Sequence, residues 1–143
     1  MKIRIKRINK TIPLPEYKTS GAAAFDLAAR EDTKIGARQT GLVPLNVVIE
    51  TPRGHFLLIA VRSSLHKKGL MLANGIGIVD PDYSGDEDEC LAAVYNFTNK
   101  PVVVKKGDRI AQGTFVKIGK ASWKEVDLMK KKNRGGFGTT GGK

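Results

Sequence analysis

His55-Phe56-Leu57-Leu58-Ile59-Ala60-Val61-Arg62-Ser63-Ser64-Leu65-His66-Lys67-Lys68-Gly69 (residues 55–69) changes character halfway along. Its first seven residues form an apolar run of strand length. The remainder, Ser63–Lys68 closed by Gly69, is the one stretch of the chain that reads as helix, because a serine can cap a first turn and glycine takes the left-handed position after a last one. Outward from this segment the pattern is that of a sheet protein. Lys2-Ile3-Arg4-Ile5-Lys6 alternates strictly, and β-rich runs cover Gly41–Glu50, Cys90–Thr98, Pro101–Val104 and Arg109–Ile118. Between them lie the turn-like Thr51-Pro52-Arg53-Gly54, Asn99-Lys100-Pro101 and Lys106-Gly107-Asp108. This spacing predicts an all-β fold, a barrel or double-sheet jelly roll, with one short helix.

At 143 residues the chain makes one domain with a core that needs no disulfide, and its single cysteine, Cys90, has no internal partner. No run is long and apolar enough to span a membrane, and the basic start MKIRIKRI leads into no apolar signal core, so a cytoplasmic protein is expected. A formal charge of +11 attracts anions without choosing among nucleic acid, acidic membrane and polyphosphate. No repeat or linker divides the chain before its glycine-rich end, NRGGFGTTGGK.

Several constellations carry possible chemistry. In Arg62-Ser63-Ser64, N–H groups, two hydroxyls and a guanidinium converge where a helix begins, which is how phosphate sites are built; the plainer reading is an N-cap beside a surface arginine. In Asn74-Gly75-Ile76-Gly77-Ile78-Val79-Asp80, Asn-Gly reads as a tight hairpin that delivers Asp80, a potential base, to its far end. Gly75 and Gly77 would let main-chain groups approach a flat ligand, although an ordinary hairpin before the Asp82-Tyr83-Ser84-Gly85 turn needs the same residues. Asp26, inside the apolar Ala23-Ala24-Phe25-Asp26-Leu27, requires a partner: an arginine, capping N–H groups or the water shell of a metal. In Gly107-Asp108-Arg109-Ile110-Ala111-Gln112, Asp108 and Arg109 can simply pair, and the Gln112 amide needs hydrogen bonds if buried. The acidic block Asp86-Glu87-Asp88-Glu89 and His66 read as solvated surface, and nothing at ligand spacing supports zinc or a histidine triad. The terminal segment holds Arg134 and Phe137 among glycines and hydroxyls, suited to phosphate contact and base stacking. Together these features describe a nucleoside polyphosphate better than any other ligand.

Five motifs in order, AAAFDL (22–27), RSSLHKKGL (62–70), NGIGIVDPDYSG (74–85), GDRIAQGTF (107–115) and RGGFGTTG (134–141), make the sequence resemble the trimeric dUTPases over nearly its whole length. The resemblance implies a jelly-roll-like β-barrel over residues 1–130 and a flexible C-terminal arm, 131–143, closing over a neighbouring subunit's site. It implies a homotrimer whose active sites are shared, dUTP as substrate, dUMP and pyrophosphate as products, and Mg2+ as cofactor. By position, it makes Asp80 the base for the attacking water and Asp26 a ligand of magnesium through water. Arg62, Ser63 and Ser64 become phosphate contacts, Gln112 a contact to phosphate or to its metal-bound waters, Asn74 through Gly77 the uracil reader, and Tyr83 the ring under the deoxyribose. Arg134 meets the γ-phosphate, Phe137 stacks on uracil, and Gly138, Thr139 and Thr140 line the phosphates. Ala24 and Ser64 stand where the family usually has glycine, and the fifth motif is shorter than its common form.

Two other functions are weighed against this one. A dCTP deaminase, or the bifunctional deaminase that also makes dUMP, shares the barrel and the Arg-Ser-Ser motif but is typically longer and lacks the glycine-rich fifth motif. A nucleic-acid-binding β-barrel would use the +11 charge and Lys130-Lys131-Lys132-Asn133-Arg134, yet the chain has few aromatics for stacking, and Asp26, Asp80 and Asp82 would repel a phosphate backbone. No membrane partner is expected.

Overall fold

The computed structural model describes residues 1–138 of the chain, and they form a jelly-roll-like β fold. Eleven strands occur in order: β1 (Ile5–Arg7), β2 (Phe25–Ala28), β3 (Thr33–Ile35), β4 (Thr40–Pro44), β5 (Val47–Ile49), β6 (His55–Val61), β7 (Leu70–Leu72), β8 (Gly77–Val79), β9 (Leu91–Asn96), β10 (Val102–Val104) and β11 (Arg109–Lys117). All pairings are antiparallel: β2-β11-β6-β8, β4-β9-β7, and the two-stranded ribbons β1-β5 and β10-β3.

The inward faces meet in one core in which Leu27, Leu45, Leu57, Ile59, Leu70, Val94 and Ile110 are essentially inaccessible. Alternation explains why. Along β2, Phe25 and Leu27 point in while Asp26 and Ala28 do not, the period-two signature of a sheet with one wet face. The long run Gly41–Glu50 is two strands rather than one. Asn46 breaks it with a φ of 71°, a conformation asparagine tolerates better than most residues, and its buried side chain exchanges bonds with the main chain of Asn9.

The helix at 63–68 shrinks to one 3-10 turn, Leu65–Lys68. Ser64 occupies the N-cap position, but its hydroxyl caps nothing, so the expected serine cap is not made; Gly69 does take the left-handed C-terminal position, at φ 84°. A Cβ at Gly69 would also collide with the Thr98 methyl group.

The Asn74-Gly75 turn is not a hairpin. Gly75 has the positive φ such a turn demands, yet β7 pairs with β9 and β8 pairs with β6, so the turn carries the chain from one sheet to the other. Local turn chemistry is satisfied either way, and the partner of each strand is chosen by the core.

β11 ends at Lys117, and Gly119 to Gly138 have neither helix nor strand. Trp123, Leu128, Met129 and Phe137 are largely exposed there. Among the described residues no helix is long and apolar enough to cross a membrane.

Candidate active site

Three of the expected site residues come together on the outer face of β2-β11-β6. Gln112 lies opposite Asp26 on one side and Ala60 on the other, and directly opposed residues share a face. The Gln112 amide donates to the Val61 carbonyl at 3.0 Å, which places it one residue from Arg62. Arg62 in turn brings Nε to 3.3 Å from the Asp26 carboxylate, whose side chain is only 12% exposed. The partner demanded for Asp26 is therefore an arginine, and there are two of them.

The second is Arg109, for which sequence reasoning finds no role beyond pairing with Asp108. Its Nη1 donates to Asp26 at 2.9 Å, and its carbonyl accepts from Arg62 Nη1 at 3.3 Å. Asp108 bonds instead to Lys68 and to the Lys105 N–H. A β-bulge explains the difference. The register slips between Arg109 and Ala111, so Ile110 and Ala111 are both buried while Arg109 and Gln112 both face outward beside Asp26. The polar-apolar-apolar-polar order of residues 109–112 departs from strict alternation, and that departure is where the bulge could have been read.

Ser63 and Ser64 follow Arg62 at the surface, and the hydrogen bonds of the 3-10 turn begin only at Leu65, whose N–H donates to the Arg62 carbonyl at 3.0 Å. Two guanidinium groups thus hold one carboxylate, and two serine hydroxyls with their N–H groups follow Arg62 directly in the chain. The cluster is net positive and suited to several phosphate oxygens.

The fit of magnesium follows from the same charges. Among the described residues no three His, Cys, Asp or Glu side chains group as a metal-binding set. One carboxylate between two guanidinium groups does not attract a bare dication, but it suits an ion that arrives on a triphosphate and keeps its waters, as Mg2+ prefers.

The remaining residues lie elsewhere. Val79 faces Leu57 and Gly77 faces Ile59, so β8 runs beside the first half of β6 and Asp80 emerges near its His55 end. Arg62 follows the opposite end. About six residues of strand, roughly 20 Å, separate them. Gly77 has a second reason to be glycine, because a Cβ there would lie 3.2 Å from that of Ile59. Asn74 is exposed on the inter-sheet turn.

Asp80 is exposed, and its carbonyl accepts the Tyr83 N–H at 3.1 Å, closing a tight turn. The Tyr83 hydroxyl donates to the Glu89 carbonyl at 2.9 Å. Burial, followed by the charges of Asp88, Cys90 and Glu89, raises its phenol above the ordinary value, so Tyr83 is a neutral donor. A cleft of about 650 Å³ beside Asp80 is lined by Arg53, Pro81, Asp82, Ile118 and Lys120, the root of the terminal arm. Farther along the arm, Arg134 Nε donates to the adjacent Gly135 carbonyl at 3.1 Å, and Phe137 is wholly exposed. Gly138 has a φ of 87°; Thr139 and Thr140 lie outside the described residues.

The chain is similar to known proteins over nearly its whole length. The dUTPase family model matches residues 10–141. The deoxyuridine 5'-triphosphate nucleotidohydrolase of Dictyoglomus turgidum is 38% identical over 148 residues, covering 99% of each chain. That of Desulfitobacterium hafniense is 41% identical over 147 residues, covering 99% of this chain and 95% of its own. Among solved structures, the Streptococcus mutans dUTPase superimposes with a TM-score of 0.76 at 33% identity, over 83% of this chain and 98% of that one. The dUTPase of Staphylococcus bacteriophage 80alpha with dUPNHPP gives 0.85 at 20% identity, over 99% and 98%, which speaks for the fold.

Proposed function

The chain belongs to the dUTPase family, and from that premise we propose that it hydrolyses dUTP to dUMP and pyrophosphate in a site completed by copies of itself. The observation that carries this reading is the division of the site along β6. Asp26, Arg62, Arg109 and Gln112 gather at one end and Asp80 and Tyr83 at the other, so a phosphate chain gripped at the first is out of reach of the second in the same protomer. A closed threefold ring brings the Asp80 end of one copy to the Arg62 end of the next without leaving open interfaces. The arm supplies the third part. Residues 119–138, which lead into it and include its first part, have no helix or strand and span roughly 65 Å if extended, enough to carry Arg134 and Phe137 onto another copy's nucleotide.

In this arrangement Asp80 orients a water in line with the α-phosphorus and takes its proton. Arg62, Arg134 and the N–H groups at Ser63 and Ser64 hold the phosphates and spread the charge of the departing pyrophosphate, so most of the rate comes from positioning and electrostatic stabilisation. Asp26 would hold magnesium through water, and the ion would supply neutralisation of the triphosphate charge. Main-chain groups from Asn74 to Gly77 match the acceptor and donor edge of uracil, which cytosine, with an amino group in place of an oxygen, does not satisfy. Thymine is excluded by close packing at its 5-position, and Tyr83 beneath the deoxyribose leaves no room for a 2'-hydroxyl. Gly138, Thr139 and Thr140 line the phosphates as the arm closes. We assign the reaction to the cytoplasm; the buried Cys90 thiol, pushed up to about 12 by burial and then by Glu89, stays protonated.

The test is pyrophosphate release with magnesium, run in parallel on dUTP, dCTP, dTTP and UTP. The expected result is turnover of dUTP with kcat/KM at least about 10²-fold above each of the others. Ammonia released from dCTP would replace this reading with a deaminase, and tight, salt-sensitive oligonucleotide binding without turnover would replace it with a nucleic-acid-binding barrel.

A further inference from the structure

The acidic block at 86–89 ends in a residue that is not solvated. Glu89 has a side chain only 13% exposed, and one of its carboxylate oxygens accepts from Arg30 Nε at 2.8 Å and from the Asn46 N–H at 2.8 Å. Both donors are themselves fixed. The Arg30 N–H donates to the Pro44 carbonyl at 2.8 Å, and Asn46, 1% exposed, is locked to Asn9. The main chain beyond Glu89 is pinned as well, since the Cys90 N–H donates to Val47 and the Cys90 carbonyl accepts from Leu45. The Glu89 carbonyl thus has a determined position in the core wall, and the Tyr83 hydroxyl is bonded to it.

Tyr83 otherwise belongs to an exposed turn, with its ring partly in solvent. A ring excludes a hydroxyl group only where it cannot swing aside, and two side-chain torsions would allow it to do so. The bond to Glu89 removes that freedom from the far end of the ring. We propose that Glu89, clamped by Arg30 and Asn46, is a positioning residue that holds Tyr83 where it rejects a ribose 2'-hydroxyl, and that Arg30 is therefore a determinant of sugar selectivity without touching substrate. This rests on the assignment of Tyr83 as the ring beneath the deoxyribose.

The physical consequence is asymmetric. Loosening the ring opens space that UTP needs and dUTP does not, so the ratio of the two substrates moves more than activity with dUTP. A purely structural role for the ion pair would instead lower the melting temperature and weaken both substrates alike.

The experiment measures kcat/KM for dUTP and UTP, with melting temperatures, in the wild type and in Tyr83→Ala, Tyr83→Phe, Arg30→Met and Arg30→Lys. Tyr83→Ala is expected to abolish most of the deoxyribose preference. Tyr83→Phe, which keeps the ring and loses the bond to Glu89, and Arg30→Met are each expected to lower the dUTP-to-UTP ratio about tenfold through a gain with UTP. Arg30→Lys, which retains a cation beside Glu89, should keep most of the preference. If Tyr83→Ala moves the ratio while Tyr83→Phe and Arg30→Met do not, the clamp is overturned and the role of Tyr83 survives. If Tyr83→Ala leaves the ratio unchanged, both are overturned. Tyr83→Phe decides the bond to Glu89 even if Arg30→Met fails to fold. The part of Arg30 is then decided by Glu89→Gln, which keeps an acceptor for the Asn46 N–H and loses the ion pair: an unchanged ratio there overturns it.

Discussion

Asp80→Asn is expected to lower kcat with dUTP by on the order of 10²–10⁴-fold while leaving nucleotide affinity nearly unchanged. Asparagine has the size of aspartate and can still accept a hydrogen bond from water, but it cannot take the proton. The local fold should be indifferent to the change. The Asp80 side chain is exposed, and the bond that closes its turn comes from the main-chain carbonyl to the Tyr83 N–H, which the substitution preserves. Rate is followed by steady-state pyrophosphate release, and affinity by titration with an imido analogue of dUTP. Full turnover in the variant would remove Asp80 from the base's role; a large loss of affinity at unchanged kcat would make it a binding residue only.

A chain ending at Lys132 is expected to lose on the order of 10²–10³ in kcat, because it lacks the charge of Arg134 and the stacking of Phe137 at the moment the site must exclude water. Its stability should be unaffected. Phe137 is fully exposed, and Arg134 is exposed with its Nε donating to the neighbouring Gly135 carbonyl, so neither contributes to the core. Turnover and melting temperature measured on the same preparation separate the two effects. Wild-type turnover from the shortened chain would mean that the arm is not part of the site.

Strand identity was legible where a β-rich run ends at a turn or a change of character, and less so at the strictly alternating Lys2–Lys6, of which only Ile5 and Lys6 lie in β1. His55–Val61 is β6 to the residue, and Arg109–Ile118 differs from β11 by one position. It was less legible where a local conformational break interrupts a continuous apolar run, as at Asn46. The short β2 and β3 lie in none of the longer β-rich runs, and neither is apparent in the sequence. The Asn74-Gly75 turn illustrates a different limit. Its sequence specifies a backbone reversal, but which strands flank it across the sheet is settled by contacts with β6 and β9, far away in the chain.

The site was legible as residue types and not as a place. Asp26, Arg62 and Gln112 meet as their chemistry suggests, while Arg109 joins them through a bulge that simple alternation conceals. Glu89 lay hidden for the opposite reason. Four consecutive acidic residues look solvated, and only the fold reveals that the last of them turns inward to Arg30. No reading of one chain's sequence could show that Asp80 and Arg62 stand at opposite ends of the same strand.

That separation makes subunit mixing the most direct test of the account. Arg62→Ala and Asp80→Asn protomers, each nearly inactive alone, are denatured together in equal amounts, refolded and assayed for pyrophosphate release from dUTP. If each site takes Asp80 from one copy and Arg62 from the next, every mixed ring of three contains one intact site, and about a quarter of wild-type turnover returns. If turnover stays at the level of the separate variants although mixed rings have formed, the two residues serve within a single chain and the proposed assembly is wrong.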